Sequence, residues 1–418
     1  MNKSLSLLFS LGCYAVGNSL ICNSVIAQVT PDGTTNTTVN PDGSNNFTIE
    51  NGDRAGGNLF HSFDLFSVPN GGSAIFNNPT DIANIFSRVT GGNISNIDGL
   101  IQANGSANLF LVNPAGILFG NNSRLDIGGS FFGTTADSIL FEDGEFSAVN
   151  NLAEPILTIN APIGLNFRDN PADIVNRAGS GLDNGGLQVA TGDSLTLMGG
   201  NIRLEGGKLT APGGSIELGG LSAAGTVGIS EDGSLSFPEE IAKANVSLTD
   251  SALVNVVDAG GGSINVNAQN LELRARSLLM AGIDEAVNSP TAQAGDINLN
   301  VDEAITIDGP ESGIFNDVGI EIKEEDVTSS AVGNAGKINI ETGSLSITSG
   351  GRIGSTIFGQ GNAGDVTVNA SENIEIQGFE DSEVDDESPT GIFSNSEDEV
   401  IGNSGTISIS SDSLNLNT

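Results

Sequence analysis

The chain has 418 residues, 57 of them glycine, and its 14 basic residues stand against 52 acidic ones for a net charge of -38. Such a balance excludes the basic surface that nucleic acid or anionic lipid requires, and it reads as a solvated acidic exterior. Hydrophobic residues make up 38% and there is no Trp, so the length allows one to three domains with modest cores.

The first residues read as an export signal. Lys3 supplies the positive start, Leu5–Val16 is the apolar stretch with a weaker second one at Leu20–Ile26, and Val25-Ile26-Ala27 fits a small-residue cleavage rule, leaving Gln28 as the mature N-terminus. Gly12, Gly17, Asn18 and Asn23 interrupt the run before it reaches spanning length, so stable membrane insertion is not expected. Both cysteines, Cys13 and Cys22, fall in this segment. The mature chain is therefore expected to have neither disulfides nor thiol chemistry, which suits a protein that crosses membranes unfolded.

From Gln28 to Leu165 the chain is rich in aromatic and aliphatic clusters, and 13 of its 19 Phe lie between Phe47 and Phe167. Two short apolar runs, Leu109–Val112 and Ile117–Phe119, flank the corner Asn113-Pro114-Ala115-Gly116-Ile117. Asn first, Pro second and Gly fourth are the preferences of a type I β-turn, so the corner is predicted to join two buried strands.

Beyond about Asn166 the pattern becomes strand, turn, strand. In Leu187, Val189, Leu195, Leu197, Ile202, Leu204, Leu209, Ile216 and Leu218 the apolar period is two within each run, with Gly-Gly or Gly-Asp at the corners. Farther on, "AGDINLNVDEAITIDG" at Ala294 matches "AGDVTVNASENIEIQG" at Ala363, and each is followed by Gly-Ile-Phe, at Gly313 and Gly391. A second type recurs at Gly262, Gly336 and Gly405. The two types alternate in one long repeat. Glycine-cornered all-β repeats of fixed period indicate a solenoid, and a right-handed parallel β-helix is expected. At about 20–25 residues per coil and about 4.8 Å between coils, the mature chain would make roughly 16–19 coils and a rod of about 75–90 Å. The last repeat breaks off at "SISSDSLNLNT", so a truncated array is expected. The acidic stretches Glu321–Asp326 and Glu380–Glu387 are expected to project as loops.

The search for chemistry returns little. His61 is the single histidine and sits in "NLFHSFDLF", where packing explains it better than catalysis. No Cys–His set has metal spacing and no glycine-rich loop carries a phosphate-binding Lys. Most acids lie in loops, not as an ordered acid–base pair. No catalytic residue, metal or cofactor is therefore expected.

The segment "SAIFNNPTDIANIFSRVTGGNISNIDGLIQANGSANLFLVNPAGILFG", with Arg88–Gly92 and "GGSFFGTTADSILF", resembles the N-terminal secretion domain of the filamentous haemagglutinin family, the exported partner in two-partner secretion. The resemblance covers roughly Val29–Leu165 and is in the style of large cyanobacterial exoproteins. Of the family motif Asn-Pro-Asn-Gly-Ile, Asn113, Pro114, Gly116 and Ile117 match and Ala115 replaces the central Asn; a companion Asn-Pro-Asn-Leu motif has a loose counterpart at Asn78-Pro79.

The resemblance implies a signal peptide over 1–27, a β-rich capping secretion domain over 28–165, β-helix coils over 166–240 and a repetitive shaft over 241–418. It implies export through the periplasm and an outer-membrane β-barrel transporter that recognises the N-terminal domain. The product would be a secreted or surface-exposed adhesin-like structural protein that contacts host or neighbour-cell glycans or proteins and binds no nucleic acid. A β-helical polysaccharide-degrading enzyme and the stalk of a contact-dependent toxin are the alternatives.

Overall fold

Runs with period two bury one face and expose the other, and a run of three to six residues is too short to hide that face by itself. Stacking many such runs in parallel hides it. In the computed structural model, residues 28–149, 157–182, 185–230, 233–239, 241–320, 329–378, 389–396 and 400–417 are described. The export signal and the acidic stretches 321–326 and 380–387 lie outside the described residues.

The chain winds as an all-β parallel β-helix. One ladder runs through Asn58–Phe66, Asn84–Val89, Asn108–Val112, Phe131–Thr134, Leu195–Gly199, Ser215–Gly220, the first halves of Ser263–Arg274, Ile297–Asp308 and Ile338–Thr348, then Val366–Ala370 and Ile407–Ser410, each pair parallel. A second ladder runs from Ser95–Ile97 through Ile117–Phe119, Ile174–Asn176, Ile202–Glu205 and Val246–Thr249 to Ser413–Asn417. The third side is formed by Asn46–Asn51 to Arg124–Asp126 and, farther along, by Leu187–Gln188 to Gly391–Ser396. Inside, like meets like: Leu195, Ile216, Ile264, Ile297, Ile338 and Val366 are successive partners, and all are buried.

The coil count departs from expectation. The first ladder has eleven strands among the described residues, a stack of about 50 Å at about 4.8 Å per step, against the roughly 16–19 coils expected from typical repeat lengths. The long repeat is two coils: partners one coil apart are 41 residues apart at Asn298 and Asn339, 28 at Glu341 and Asn369, and 41 again at Asp365 and Thr406. Long and short coils alike contribute to a fourth short ladder, Asn288–Gln293 to Ile401–Asn403. Two excursions, one carrying Ser138–Phe141, Gly144–Ser147 and Gly164–Phe167 and the other Gly225–Ile229 and Leu235–Ser236, pair outside the helix and take up further residues.

The recurrent glycines have a steric cause. A Cβ on Gly336, Gly364 or Gly405 would overlap the carbonyl oxygen of Gly295, Gly336 or Gly364, respectively. The polar groups at this corner are satisfied from within the helix. Asn316 Nδ2 donates to Gly295 O (2.9 Å) and its Oδ1 accepts from Gly336 N (3.0 Å); Ser355 Oγ accepts from Gly364 N (2.8 Å) and Ser394 Oγ from Gly405 N (2.8 Å). Asp296 and Asp365 tie each coil to the next by accepting the N–H of Lys337 (2.7 Å) and Thr406 (2.9 Å).

The N-terminal end is closed by antiparallel pairing. Val29–Pro31 pairs with Phe63–Phe66, Asp53–Ala55 with Asn58–Phe60, and Thr37–Pro41 forms a hairpin with Asn46–Asn51. His61 is packed beneath this hairpin, hydrogen-bonded to Thr37 Oγ1 at 3.1 Å and set against Phe63 and Phe76. Burial pushes its imidazole down to about 3, so the ring is neutral in the folded chain.

Two tests follow from these contacts. Gly364→Ala should destabilise the chain by about 2 kcal/mol or more, the cost of overpacking a rigid site, whereas Ser346→Ala, on the outer face, should stay within about 0.5 kcal/mol; chemical denaturation measures both. For His61, the unfolded ring binds a proton near pH 6.5 and the folded ring does not until about 3. Its contribution is therefore fully present above 6.5 and is lost at roughly 1.4 kcal/mol per pH unit as pH falls through that window. The stability difference between wild type and His61→Asn, measured from pH 7.5 to 4, should show this slope; a flat difference would contradict a buried neutral ring.

Candidate functional site

Asn113 lies where the first ladder hands over to the second. The corner is the predicted turn: Gly116 N donates to Asn113 O at 3.0 Å, and Asn113 Oδ1 accepts from Ala115 N at 2.9 Å. The Asn113 amide also reaches back one coil, Nδ2 donating to Asn93 O and to Ser95 Oγ, both at 2.9 Å. Asn113 is fully buried, while Pro114 and Ala115 keep partial exposure. Gly116 has φ 118, a region that favours glycine, and its carbonyl accepts from Ser95 N at 3.1 Å. Ile117 then enters the core between Ser95 and Ile174.

Asn78 and Pro79 sit at a different corner, where the third side returns to the first ladder. Asn78 is also a coil-to-coil tie, donating to Asn104 O (3.0 Å) and accepting from Asn104 N (2.9 Å). Pro79 is exposed. The two motifs thus share a role, a buried Asn beside an exposed or half-exposed Pro, but occupy separate corners of the helix.

Pro114 and Ala115, with the buried Asn113 beneath them, line a groove together with Val89, Thr90, Gly92, Ala148, Val149 and Arg168. Arg168, with its side chain 59% exposed, pairs with the buried Asp137 at 3.2 Å. Burial raises the Asp137 carboxyl, and Arg168 opposes that rise.

Behind the groove is a buried polar network that the sequence did not announce. Arg88 is 1% exposed. Its Nε donates to Ser62 Oγ (2.8 Å), its Nη1 to Ser147 O (2.5 Å) and its Nη2 to Thr34 Oγ1 (2.9 Å), and the guanidinium lies 4.5 Å from the centre of the Phe146 ring. Asp32 accepts from Ser62 Oγ (2.6 Å), Thr90 Oγ1 (2.7 Å) and Thr34 N (2.9 Å). Burial would raise this carboxyl, but these donors outweigh burial and hold it below its usual value. The network joins the N-terminal strand, two coils and the first excursion. The available signal was a single Arg in the otherwise uncharged strand Asn84–Val89.

Beside it runs an aromatic column on the outside of the first ladder. Phe60, Phe86, Phe110 and Phe132 are register partners, with ring centres 5.1, 4.8 and 4.3 Å apart. The five-stranded antiparallel sheet from the two excursions covers them with Phe141, Phe146, Leu165, Phe167 and Val227. Two residues before each of the first three rings is an Asn, and these amides are linked: Asn84 Nδ2 donates to Asn58 Oδ1 and Asn108 Nδ2 to Asn84 Oδ1, each at 2.9 Å. The recurrence Asn-Leu-Phe, Asn-Ile-Phe, Asn-Leu-Phe was the legible trace of this column. Among the described residues, no three of His, Cys, Asp and Glu are grouped to hold a metal ion.

The family model described as the TPS secretion domain matches residues 27–266. Among solved structures, the chain is similar to the HMW1 secretion domain from Haemophilus influenzae, at 17% identity and a TM-score of 0.47, covering 93% of this chain and 98% of that one. It is also similar to the filamentous hemagglutinin secretion domain, at 12% identity and a TM-score of 0.37, covering 93% of this chain and 99% of that one. No curated protein matches the chain.

Asn113→Ala removes the ties to Asn93, Ser95 and Ala115 and should cost about 2 kcal/mol or more, since buried partners are left unpaired. Ala115→Asn, on the half-exposed position, should stay within about 0.5 kcal/mol. Thermal and denaturant unfolding of both variants checks the contrast.

Proposed function

The chain belongs to the TPS, or two-partner secretion, secretion-domain family, and from that premise we propose that the Asn113–Ile117 corner is part of the address read by its outer-membrane β-barrel transporter. The observation that carries this reading is the division of labour within the corner. Asn113 and Ile117 are consumed by the fold, whereas Pro114 and Ala115 face a groove. A partner that reads the folded corner meets Pro114 and Ala115; a partner that reads the unfolded chain meets the whole motif. Asn78-Pro79 is the second, separate element of the address in this reading.

Export and folding are then linked by rung addition. Each coil placed on the stack gains a row of parallel hydrogen bonds and buries several Leu, Ile or Val side chains at about 1.5–3 kcal/mol each. A coil that has formed outside does not return through a pore, so folding draws the chain outward with no nucleotide hydrolysis. The N-terminal antiparallel strands give the first coil a surface on which to form. The divisions at 28–165, 166–240 and 241–418 are divisions of task in this scheme; the first two ladders run unbroken across them.

Outside the cell, the chain acts as an adhesin-like structural protein, released or held at the surface. It performs no catalysis in this reading, and its partners are surface glycans or proteins.

The test is co-expression with the transporter and measurement of chain in the medium against chain in the periplasm. Ala115→Lys should fold with unchanged stability yet be released severalfold less. Asn113→Ala should also be released less. Normal release of Ala115→Lys together with normal release of a chain lacking 29–165 would contradict the address.

A further inference from the structure

The third side of the helix is apolar on its outer face as well as its inner one over part of its length. Strands Leu278–Ile283, Gly313–Val318, Arg352–Ile357 and Gly391–Ser396 stack in register. Leu279, Ile314, Ile353 and Ile392 point into the core. The residues that alternate with them form outward columns: Met280, Phe315, Gly354 and Phe393 in one, Leu278, Gly313, Arg352 and Gly391 beside it. These are the two Gly-Ile-Phe repeats, with Arg-Ile-Gly on the coil between them.

Glycine here makes a floor for the rings. A Cβ on Gly313 would come within 2.6 Å of Phe315 Cε2, and one on Gly391 within 3.1 Å of Phe393 Cζ. Gly354, between the two, is covered by Phe315 and by Phe393. Each ring therefore lies down on the sheet and remains half-buried. The Arg352 guanidinium carbon lies 5.5 Å from the centre of the Phe315 ring, and Arg352 Nε is buried with no hydrogen-bond partner. On the other flank runs a polar column: Asp317 Oδ1 accepts from Thr356 N (2.7 Å) and Thr356 Oγ1 donates to Asn395 Oδ1 (2.9 Å).

Flat aromatic platforms bordered by amide, hydroxyl, carboxyl and guanidinium groups match the two-sided chemistry of a sugar ring. One face of a pyranose is a patch of C–H groups that packs on an aromatic face, and its rim carries hydroxyls. Phe315 and Phe393 are two coils apart, or about 10 Å. In an extended β-1,4-linked chain each ring is turned over relative to the last, so like faces recur at every second sugar, a matching repeat. The net charge of -38 repels polyanions and leaves uncharged chains as the better fit.

We propose that this face is a glycan-binding strip, with Phe315 and Phe393 as platforms for alternate rings of an extended, uncharged, β-linked polysaccharide and with Arg352, Thr356 and Asn395 directed at its hydroxyls. Asp317 keeps a partly exposed edge while its carboxyl is withdrawn from water; burial pushes it up to about 7, against the opposing effects of the Thr356 N–H and the Arg352 charge. The buried carboxyl acts behind the strip, where it holds the Thr356 backbone through the Thr356 N–H. The strip rests on the exoprotein reading only for its setting, since the chain meets such polysaccharide outside the cell.

The test uses the purified full chain in native gels that contain hydroxyethylcellulose, mixed-linkage β-glucan or alginate. Retardation is expected in the two neutral polymers, unaffected by salt. Phe315→Ala and Phe393→Ala should each weaken it about tenfold, the loss of a central aromatic anchor, while Phe393→Trp should preserve or strengthen it. Unfolding curves establish that the alanine variants remain folded, and Phe393→Trp keeps the comparison informative if either does not. No retardation in either neutral polymer, retardation by alginate alone that salt abolishes, or undiminished binding by the folded double variant would overturn the strip. Release to the medium is scored separately for each variant: undiminished binding by the folded Phe variants with normal release counts against the strip alone, and normal release of Ala115→Lys with polysaccharide binding intact counts against the export reading alone.

Discussion

Parallel coils approach to within backbone contact, and the rest of the molecule is arranged around that closeness. At the corner of Gly295, Gly336, Gly364 and Gly405, the carbonyl oxygen of one coil occupies the place a side chain of the next would need. Such spacing allows continuous parallel hydrogen bonding and an interior filled by ladders of Ile, Leu and Val. It also fixes where variation is tolerated. The coil of 41 residues is followed by one of 28, a difference of thirteen, yet Ile297, Ile338 and Val366 stay in register, because the added residues leave from corners.

The N-terminal part, as far as about residue 245, uses that freedom to build a second layer. Its two excursions form the antiparallel sheet that covers the Phe60–Phe132 column, so this part has an apolar core on both faces of one ladder. Arg88 is buried at the seam between the layers. A buried cation is tolerated only when its donors are matched, and Ser62, Ser147, Thr34 and the face of Phe146 match them. The same residues fasten the antiparallel strands that close the first coil, which solves the problem of an open sheet edge at that end.

A fold that grows by adding equivalent coils suits a chain that must emerge gradually through a membrane. It also makes a surface with a period. A feature repeated every coil or every second coil is presented at fixed spacing along the shaft, and a polymeric ligand with its own repeat can engage several copies at once. The outward Phe315 and Phe393 are such a feature, and the Gly-Ile-Phe repeat that produces them serves no need of the core beyond its central Ile.

The amino-acid sequence by itself determined the fold class. Period-two runs with glycine corners also fit a sandwich, and it is the recurrence of the Ala294 segment at Ala363 that points to a stacked solenoid; the Asn113–Gly116 turn follows from local preferences that need no tertiary context. His61 as a packed residue was legible for the same reason: it sits in a local pattern that names its role. The number of coils was not legible, because a repeat of two unequal coils has the same period as one long unit, and only pairing shows where one coil ends. The Arg88 network was not legible either, since directly bonded members lie up to 59 residues apart and no local rule selects them. Tertiary structure alone decided that Phe110 is covered while Phe315 is left half-open, although both follow a similar strand pattern. One lies beneath an excursion of the chain and the other on the bare outer face of a coil, and that difference is set by where distant segments pack.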